Sequence, residues 1–297
     1  MSKTINIAPE VVIDHICLLG EGPVWSTRDN CIIWIDVLQG VIHAYYPGNK
    51  VHKAFNLNRM VGAVAIRKAG GLLAALQDGF ALVNMEYNTI IPIADPEVHL
   101  PANRFNDGKC DPAGRFWAGT MAISEEPEKG NLYVLEPNLS VSKKIQNTTI
   151  SNGMAWSADN STFYYIDTPT FEVVAYDYDI TNGSISNKRI AIKIPLEEGY
   201  PDGMTIDTEG MLWIAHWDGW QVARWDPNTG QKLMSVKLPV ARVSSCTFGG
   251  GDFEDLYITT AKKELSEDEL KDQPLAGALF VLKDCGFKGR APFEFKG

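Results

Sequence analysis

One short phrase, a polar turn followed by a run of apolar and aromatic residues, occurs six times along this 297-residue chain. It runs from Ser26-Thr27-Arg28-Asp29-Asn30 into Cys31-Ile32-Ile33-Trp34-Ile35, and from Arg67-Lys68-Ala69-Gly70 into Leu72-Leu73-Ala74-Ala75-Leu76. It returns as Asp111-Pro112-Ala113-Gly114 before Phe116-Trp117, and as Ser157-Ala158-Asp159-Asn160 before Phe163-Tyr164-Tyr165-Ile166. The last copies are Asp207-Thr208-Glu209-Gly210 before Leu212-Trp213, and Gly250-Gly251-Asp252 before Leu256-Tyr257. Copies lie roughly 40 to 50 residues apart, the spacing of one four-stranded propeller blade. A closed all-β architecture of this length is commonly one domain. The repeat therefore predicts an all-β, six-bladed β-propeller occupying residues 1–297 as a single domain.

The segments between copies support this. Val173–Asp179 alternates and turns through Thr181-Asn182-Gly183, and Gln221–Trp225 turns through Asp226-Pro227-Asn228-Thr229-Gly230, both hairpin signatures. A propeller must close its ring, and Val11 to Leu18 can pair with Ala278–Leu282 to remove the exposed edges. A short capped helix is expected only around Glu264 to Lys271.

Net charge is −10. That argues against nucleic acid or an anionic membrane as partner, since both need a basic face. The five cysteines are scattered without a CxxC pair, which predicts a reducing compartment, with Cys31 and Cys246 as small buried apolar residues. The opening Met1-Ser2-Lys3-Thr4-Ile5-Asn6 lacks the apolar stretch of a signal peptide, and no run approaches membrane-spanning length. The expectation is a cytoplasmic protein.

In a blade the innermost strand lines the central channel and comes just before the repeat phrase. About five residues upstream of the phrase, four copies share a register: Glu21-Gly22, Asn106-Asp107-Gly108, Asn152-Gly153 and Asp202-Gly203. Val61-Gly62 breaks the pattern, and Ser245-Cys246 is equivocal. Glycine permits close approach or a bulge between crowded inner strands. It does not account for the polar residue before it. An Asx-Gly pair alone is an ordinary turn dipeptide; four in register are not. Carboxylates converging in a narrow channel would repel and raise one another's pKa, a cost that a bound cation removes. Glu21, Asn152 and Asp202 supply two negative charges and a neutral carbonyl oxygen, a set suited to a hard divalent ion such as Ca²⁺, Mg²⁺ or Mn²⁺.

No G-x-S-x-G elbow, Walker A loop, G-x-G-x-x-G or H-E-x-x-H is present. Asp177–Thr181 lacks the glycine and glutamate of an EF-hand loop and reads as a hairpin. His15, His43, His52, His99 and His216 show no metal-ligand spacing. Only His216 is placed near the channel end, where a packed core or rim role is the simpler account.

Gly20–Trp25, Asn103–Lys109, Ser151–Trp156, Tyr200–Met204, Asp111–Arg115, Gly119–Ala122 and Cys246–Gly250 resemble the SMP-30/gluconolactonase/luciferin-regenerating-enzyme family. The likeness runs from about Gly20 to Phe287-Lys288-Gly289. It implies a six-bladed propeller that hydrolyses sugar lactones with one divalent metal ion in the channel, so the expected cofactor is Ca²⁺, Zn²⁺, Mn²⁺ or Mg²⁺. Carried over by motif, the metal ligands are Glu21, Asn152 and Asp202, the positions that the repeat register also selects. Arg104 and Asn106 match substrate-contacting positions, and Asp107, which falls close to the metal, is grouped with them as substrate-binding. The sequence departs from the family after Gly119-Thr120-Met121-Ala122. The family glutamate that contacts the sugar is matched without gaps by Ser124, with Glu125 and Glu126 next.

The resemblance implies that the metal polarises the lactone carbonyl, with Asp202 as ligand and general base for water. Arg104 and Asn106 would hold sugar hydroxyls, although Arg104 could instead pair with Asp107. Trp117 and Met121 either line the pocket or pack between blades. The expected partner is a small sugar lactone, with a monomer or weak homo-oligomer as the assembly. A hydrolase of other lactones or esters would keep the ligands and change the rim. A calcium-binding regulatory protein would keep the ion without needing Arg104 and Asn106.

Overall fold

The structure, a computed structural model, describes residues 8–297 and arranges them as six four-stranded antiparallel sheets. The opening Met1 to Asn6, read above for a leader, lies outside the described residues. Five sheets use consecutive strands, which we number as blades 1 to 5, beginning at Gly20, Val61, Asn103, Ser151 and Tyr200. Blade 6 takes Val243–Gly249, Asp255–Thr260 and Ala278–Leu282, and completes itself with Glu10–Ile16 from the other end of the chain. Val11 lies opposite Phe280 and Ile16 opposite Ala278. The expected closing pair is therefore present, and it covers the edge that blade 6 would otherwise expose. The one α-helix among the described residues is Glu267–Asp272, started by a reciprocal capping box between Ser266 and Glu269. No helix among those residues is long and apolar enough to cross a membrane.

The repeat phrase forms the turn and second strand of each blade, and its chemistry explains why it recurs. In blade 3, Asp111 accepts hydrogen bonds from the Arg115 backbone N–H at 2.9 Å and the Trp117 indole N–H at 3.0 Å. In blade 5, Asp207 does the same for Met211 at 2.9 Å and Trp213 at 2.9 Å. One buried carboxylate thus ties the turn to the tryptophan that fills the space between sheets. Trp117, Trp213 and the equivalent Trp34 are fully buried. Trp117 is a core residue and not a pocket wall.

The inner strands are Gly20–Ser26, Val61–Ile66, Asn103–Cys110, Ser151–Trp156, Tyr200–Ile206 and Val243–Gly249. They neighbour one another in ring order, with the first closing against the last. Each carries a register shift against its second strand at the same level, between Glu21 and Val24, Val61 and Ala63, Phe105 and Gly108, Asn152 and Met154, Pro201 and Met204, and Val243 and Ser245. A bulge re-aims the side chains beside it. Six bulges at one height turn a ring of strands into a ring of side chains facing the axis.

Candidate active site

The bulges divide the channel into two hollows. The starts of the inner strands, with Glu21, Arg104, Asn106, Asn152 and Asp202, open into a cavity of about 390 Å³. Farther along the same strands Val24, Asp107, Lys109 and Cys246, joined by Arg290 of the C-terminal segment, line a hollow of about 90 Å³. The first is of a size that holds small organic ligands; the second is too small.

The three expected metal ligands converge at the base of the larger cavity, each placed by its own strand. Gly22 adopts a left-handed φ of 52° and turns its N–H onto the Glu21 carboxylate at 2.8 Å. A side chain at Gly22 would strain that turn. At Gly153 a Cβ would sit 2.7 Å from the Asp202 carbonyl oxygen, so only glycine lets blades 4 and 5 bring Asn152 and Asp202 this close. Asn152 is oriented from behind: its Nδ2 donates to the Thr168 hydroxyl at 2.9 Å, and Thr168 donates to the Pro201 carbonyl at 2.8 Å. Because the Thr168 proton is committed to Pro201, Thr168 must accept from Asn152, which leaves Asn152 Oδ1 facing the cavity.

Asp202 supplies the test of whether these residues suit a cation. Its Oδ1 is buried and has no hydrogen-bond partner. Buried carboxylate oxygens are rarely left so. Burial raises the Asp202 carboxyl well above its ordinary range, and the charges of Glu21 and Asp107 raise it further. Burial pushes Glu21 up to about 8, with Asp107 adding to the push. Burial likewise raises Asp107. An orphaned oxygen, an oriented amide carbonyl and crowded acidic groups form a donor set of hard oxygens, and they fit a divalent cation.

Arg104 and Asn106 stand on the wall above this base. Arg104 Nη1 donates to the Phe105 carbonyl at 3.0 Å and to Asn106 Oδ1 at 2.8 Å. Asn106 Nδ2 is thereby directed to the Ser151 carbonyl at 2.9 Å and Asn152 Oδ1 at 3.2 Å. The Arg104 guanidinium is thus directed to Phe105 and Asn106 and not to Asp107. Burial lowers the guanidinium to about 10, opposed by the charges of Glu125, Glu21 and Asp202. Asp107, expected beside the substrate, lines the smaller hollow with Lys109 and reaches the ligands only through its charge.

Several residues at the site carry no repeat signal. Glu125, at a left-handed φ of 60°, lines the large cavity and pairs with Lys263 at 2.7 Å across the mouth. Ser124 does not line it, and Glu126 turns to Lys129 at 3.1 Å on the surface. Glu125 is thus the acidic side chain that the loop presents to the pocket. Met121 lines the cavity; His216 is fully buried in blade 5 and accepts from the Trp225 indole at 3.3 Å. Carboxylates, buried at Asp36 and Glu97 and half-buried at Asp167, set the strand starts. Asp36 accepts from the Leu18 and Leu19 N–H groups at 2.7 and 3.3 Å, just before Glu21. Asp167 accepts from Thr149 and Ile150 at 3.0 and 2.9 Å, just before Asn152. Glu97 accepts from Asn103 Nδ2 at 2.8 Å, just before Arg104. The Ile-Asp ending shared by Trp34-Ile35-Asp36 and Tyr165-Ile166-Asp167 was the available sequence signal.

The SMP-30/gluconolactonase/LRE-like region is matched across residues 19–262. Regucalcin of Oryctolagus cuniculus is 41% identical over 297 residues, covering 98% of this chain and 99% of the relative. Among solved structures, a luciferin-regenerating enzyme superposes with a TM-score of 0.91 at 32% identity, covering 98% of this chain and all of its own. A regucalcin from Agrobacterium tumefaciens gives 0.93 at 28% identity, covering 98% of each chain.

Proposed function

The chain belongs to the SMP-30/gluconolactonase/LRE-like family, and on that premise we propose that it is a divalent-metal-dependent hydrolase opening sugar lactones of the gluconolactone type to aldonic acids. The observation that carries the reading is the unpartnered Asp202 Oδ1 beside Glu21 and Asn152, at the base of a cavity of about 390 Å³ walled by Arg104 and Asn106.

Glu21, Asn152 and Asp202 would hold the ion. When bound, a divalent ion supplies Lewis-acid polarisation of the lactone carbonyl and offsets the charge of the oxyanion. The rest of the reaction is assigned to the chain. Arg104, Asn106 and Glu125 bind ring hydroxyls and hold the carbonyl carbon over the base of the cavity. The Asp202 carboxylate takes a proton from water as the water oxygen bonds to that carbon. The ring C–O bond then breaks, and the proton passes to the departing ring oxygen, which becomes a hydroxyl. The product is an open-chain acid.

The small lactone is the partner in this reading, with no nucleic acid or membrane, and the protein acts as a monomer or weak homo-oligomer. Five buried cysteines, all unbridged, support a reducing, cytoplasmic setting. The Agrobacterium relative is described as a calcium-binding protein. That favours Ca²⁺ over Zn²⁺, Mn²⁺ or Mg²⁺ and leaves a calcium-binding regulatory role as the second reading. Metal-stripped protein, supplied with each ion in turn and assayed for acid release from a panel of aldonolactones, tests the proposal. Hydrolysis that depends on added ion is expected. Ion binding without opening of any lactone above background would move the reading to the regulatory role.

A further inference from the structure

Away from the channel, at the seam where the ring closes, a second group of potential ligands converges. His15 is near the end of the closing strand Glu10–Ile16, which belongs by pairing to blade 6, and Cys17 follows that strand. His43 lies in the third strand of blade 1, Val41–Tyr46, and His52 in its outermost strand, Val51–Asn56. One ligand atom each from His15, Cys17 and His43 lies within 4.8 Å of the others. We propose that His15, Cys17 and His43 form a second metal site, for a thiophilic ion of the Zn²⁺ class, clipping the closing strand to blade 1.

The first support is an unmet hydrogen-bonding demand. His15 Nε2 and His43 Nε2 are both buried without a partner. Buried ring nitrogens normally have one. Stacking accounts for part of the cluster, because Trp34 lies over His43 with ring centroids 4.9 Å apart. It does not account for two unpartnered nitrogens on rings that each bring a nitrogen within 4.8 Å of the other ring and of the Cys17 thiol. A tetrahedral Zn²⁺, with bonds of about 2.0–2.1 Å to nitrogen and about 2.3 Å to sulfur, puts its donors about 3.4–3.6 Å apart. Small side-chain rotations bring the three atoms to that spacing.

The second support is the way His43 is held. His43 Nδ1 and His52 Nε2 are 3.1 Å apart and share one proton. With the proton on His43 Nδ1, the unpartnered Nε2 keeps its lone pair free for a metal. Metal-bound imidazoles are usually oriented in this way, through an outer hydrogen bond from the opposite ring nitrogen. Burial, with the other two histidines adding to it, lowers His43 to about 3, and burial also lowers His52. Both rings are therefore neutral at physiological pH, the form that binds metals. Cys17 is 1% exposed, and its sulfur interacts with the Trp34 side chain. Burial pushes this thiol up to about 12, so metal binding here releases a proton. Two imidazoles and a thiolate prefer Zn²⁺ to Ca²⁺, whereas the channel donors are all oxygen. The two sites are separable by ion hardness.

The test uses the full chain, stripped of metal and titrated with Zn²⁺, and with Co²⁺ as a spectroscopic probe. Wild type is expected to show a thiolate-to-cobalt charge-transfer band and a Zn²⁺ site that Cys17→Ser and His15→Gln each weaken by about a hundredfold or more. His52→Phe keeps the ligands but removes the outer hydrogen bond, and should weaken the site by about 10–100-fold. The double variant Glu21→Gln/Asp202→Asn should retain the cobalt band, which separates this result from the fate of the lactonase reading. Absence of the band from wild type, or equal Zn²⁺ binding by wild type and His15→Gln, overturns the proposal. His15 is only half-buried, so that variant decides the matter even if Cys17→Ser fails to fold.

Discussion

The Asn152 side-chain amide donates to the Thr168 hydroxyl at 2.9 Å, and this bond points the Asn152 carbonyl oxygen at the cavity. Thr168→Val preserves the shape of the side chain and removes the acceptor. The amide is then free to rotate and present Nδ2 to the ion. Divalent-ion affinity, read by calorimetry, should fall about 10–100-fold, with the circular dichroism of the propeller unchanged. Unaltered affinity would mean that Asn152 is held by something other than Thr168.

Metal-free protein should lose stability as pH rises. Glu21 has a folded pKa of about 8 because burial penalises its charge, and Asp202 and Asp107 are raised in the same direction. The folded state therefore binds more protons than the unfolded chain between about pH 4.5 and 8, and stability declines across that window. Below it the contribution is complete. In chelator, Tm should drop between pH 5 and pH 8; with saturating Ca²⁺ the drop should shrink, because the ion compensates the carboxylates. A Tm in chelator that rises across this window would contradict the assigned burial of these groups.

The architecture and the convergence of the candidate ligands were legible in the sequence for one reason: both repeat. Glu21, Asn152 and Asp202 occupy one register because each immediately precedes a glycine in the bulge of an inner strand, and that register is copied from blade to blade. The hydrogen-bonded Asp111 and Asp207 repeat for the same reason. What escaped does not repeat. Thr168 acts from a 3₁₀ turn between strands, and Glu97 from the loop before Asn103. Glu125 meets Lys263, 138 residues away, only because the ring brings the two loops together. His15 and His43 show no ligand spacing because ring closure, not local sequence, joins them. Asp107 precedes Gly108 as Glu21 precedes Gly22, yet it lines the smaller hollow while its neighbour Asn106 lines the larger one, since neighbouring strand residues face opposite ways.

Substrate and metal contacts should separate on the wall of the cavity. Arg104→Ala and Asn106→Ala remove polar groups above the base without removing a ligand, so the ion should remain. KM for aldonolactones should rise by about tenfold or more, the scale of losing one hydrogen bond to a charged or polar group. Arg104→Ala should have the larger effect, because Asn106 also loses the donor that orients it at 2.8 Å. Loss of the ion with KM unchanged in the remaining loaded protein would reverse the roles.

Asp202 is assigned two duties, ligand and base, and Asn152 only one. Asp202→Asn keeps a carbonyl oxygen for the ion but removes a negative charge and the proton acceptor. At saturating metal kcat should fall about a hundredfold or more, the usual scale for losing general-base help. Asn152→Asp adds charge where Thr168 now accepts from the amide, so the ion should bind as well or tighter. Some rate is lost because a more neutralised cation polarises a carbonyl less, but no proton-transfer group disappears, and the fall should be smaller than for Asp202→Asn. The comparison must be made at measured full occupancy, since weaker binding alone would mimic a catalytic defect. If Asp202→Asn then turned over lactone as fast as wild type, water activation would belong to Glu21, the remaining carboxylate that lines the cavity base.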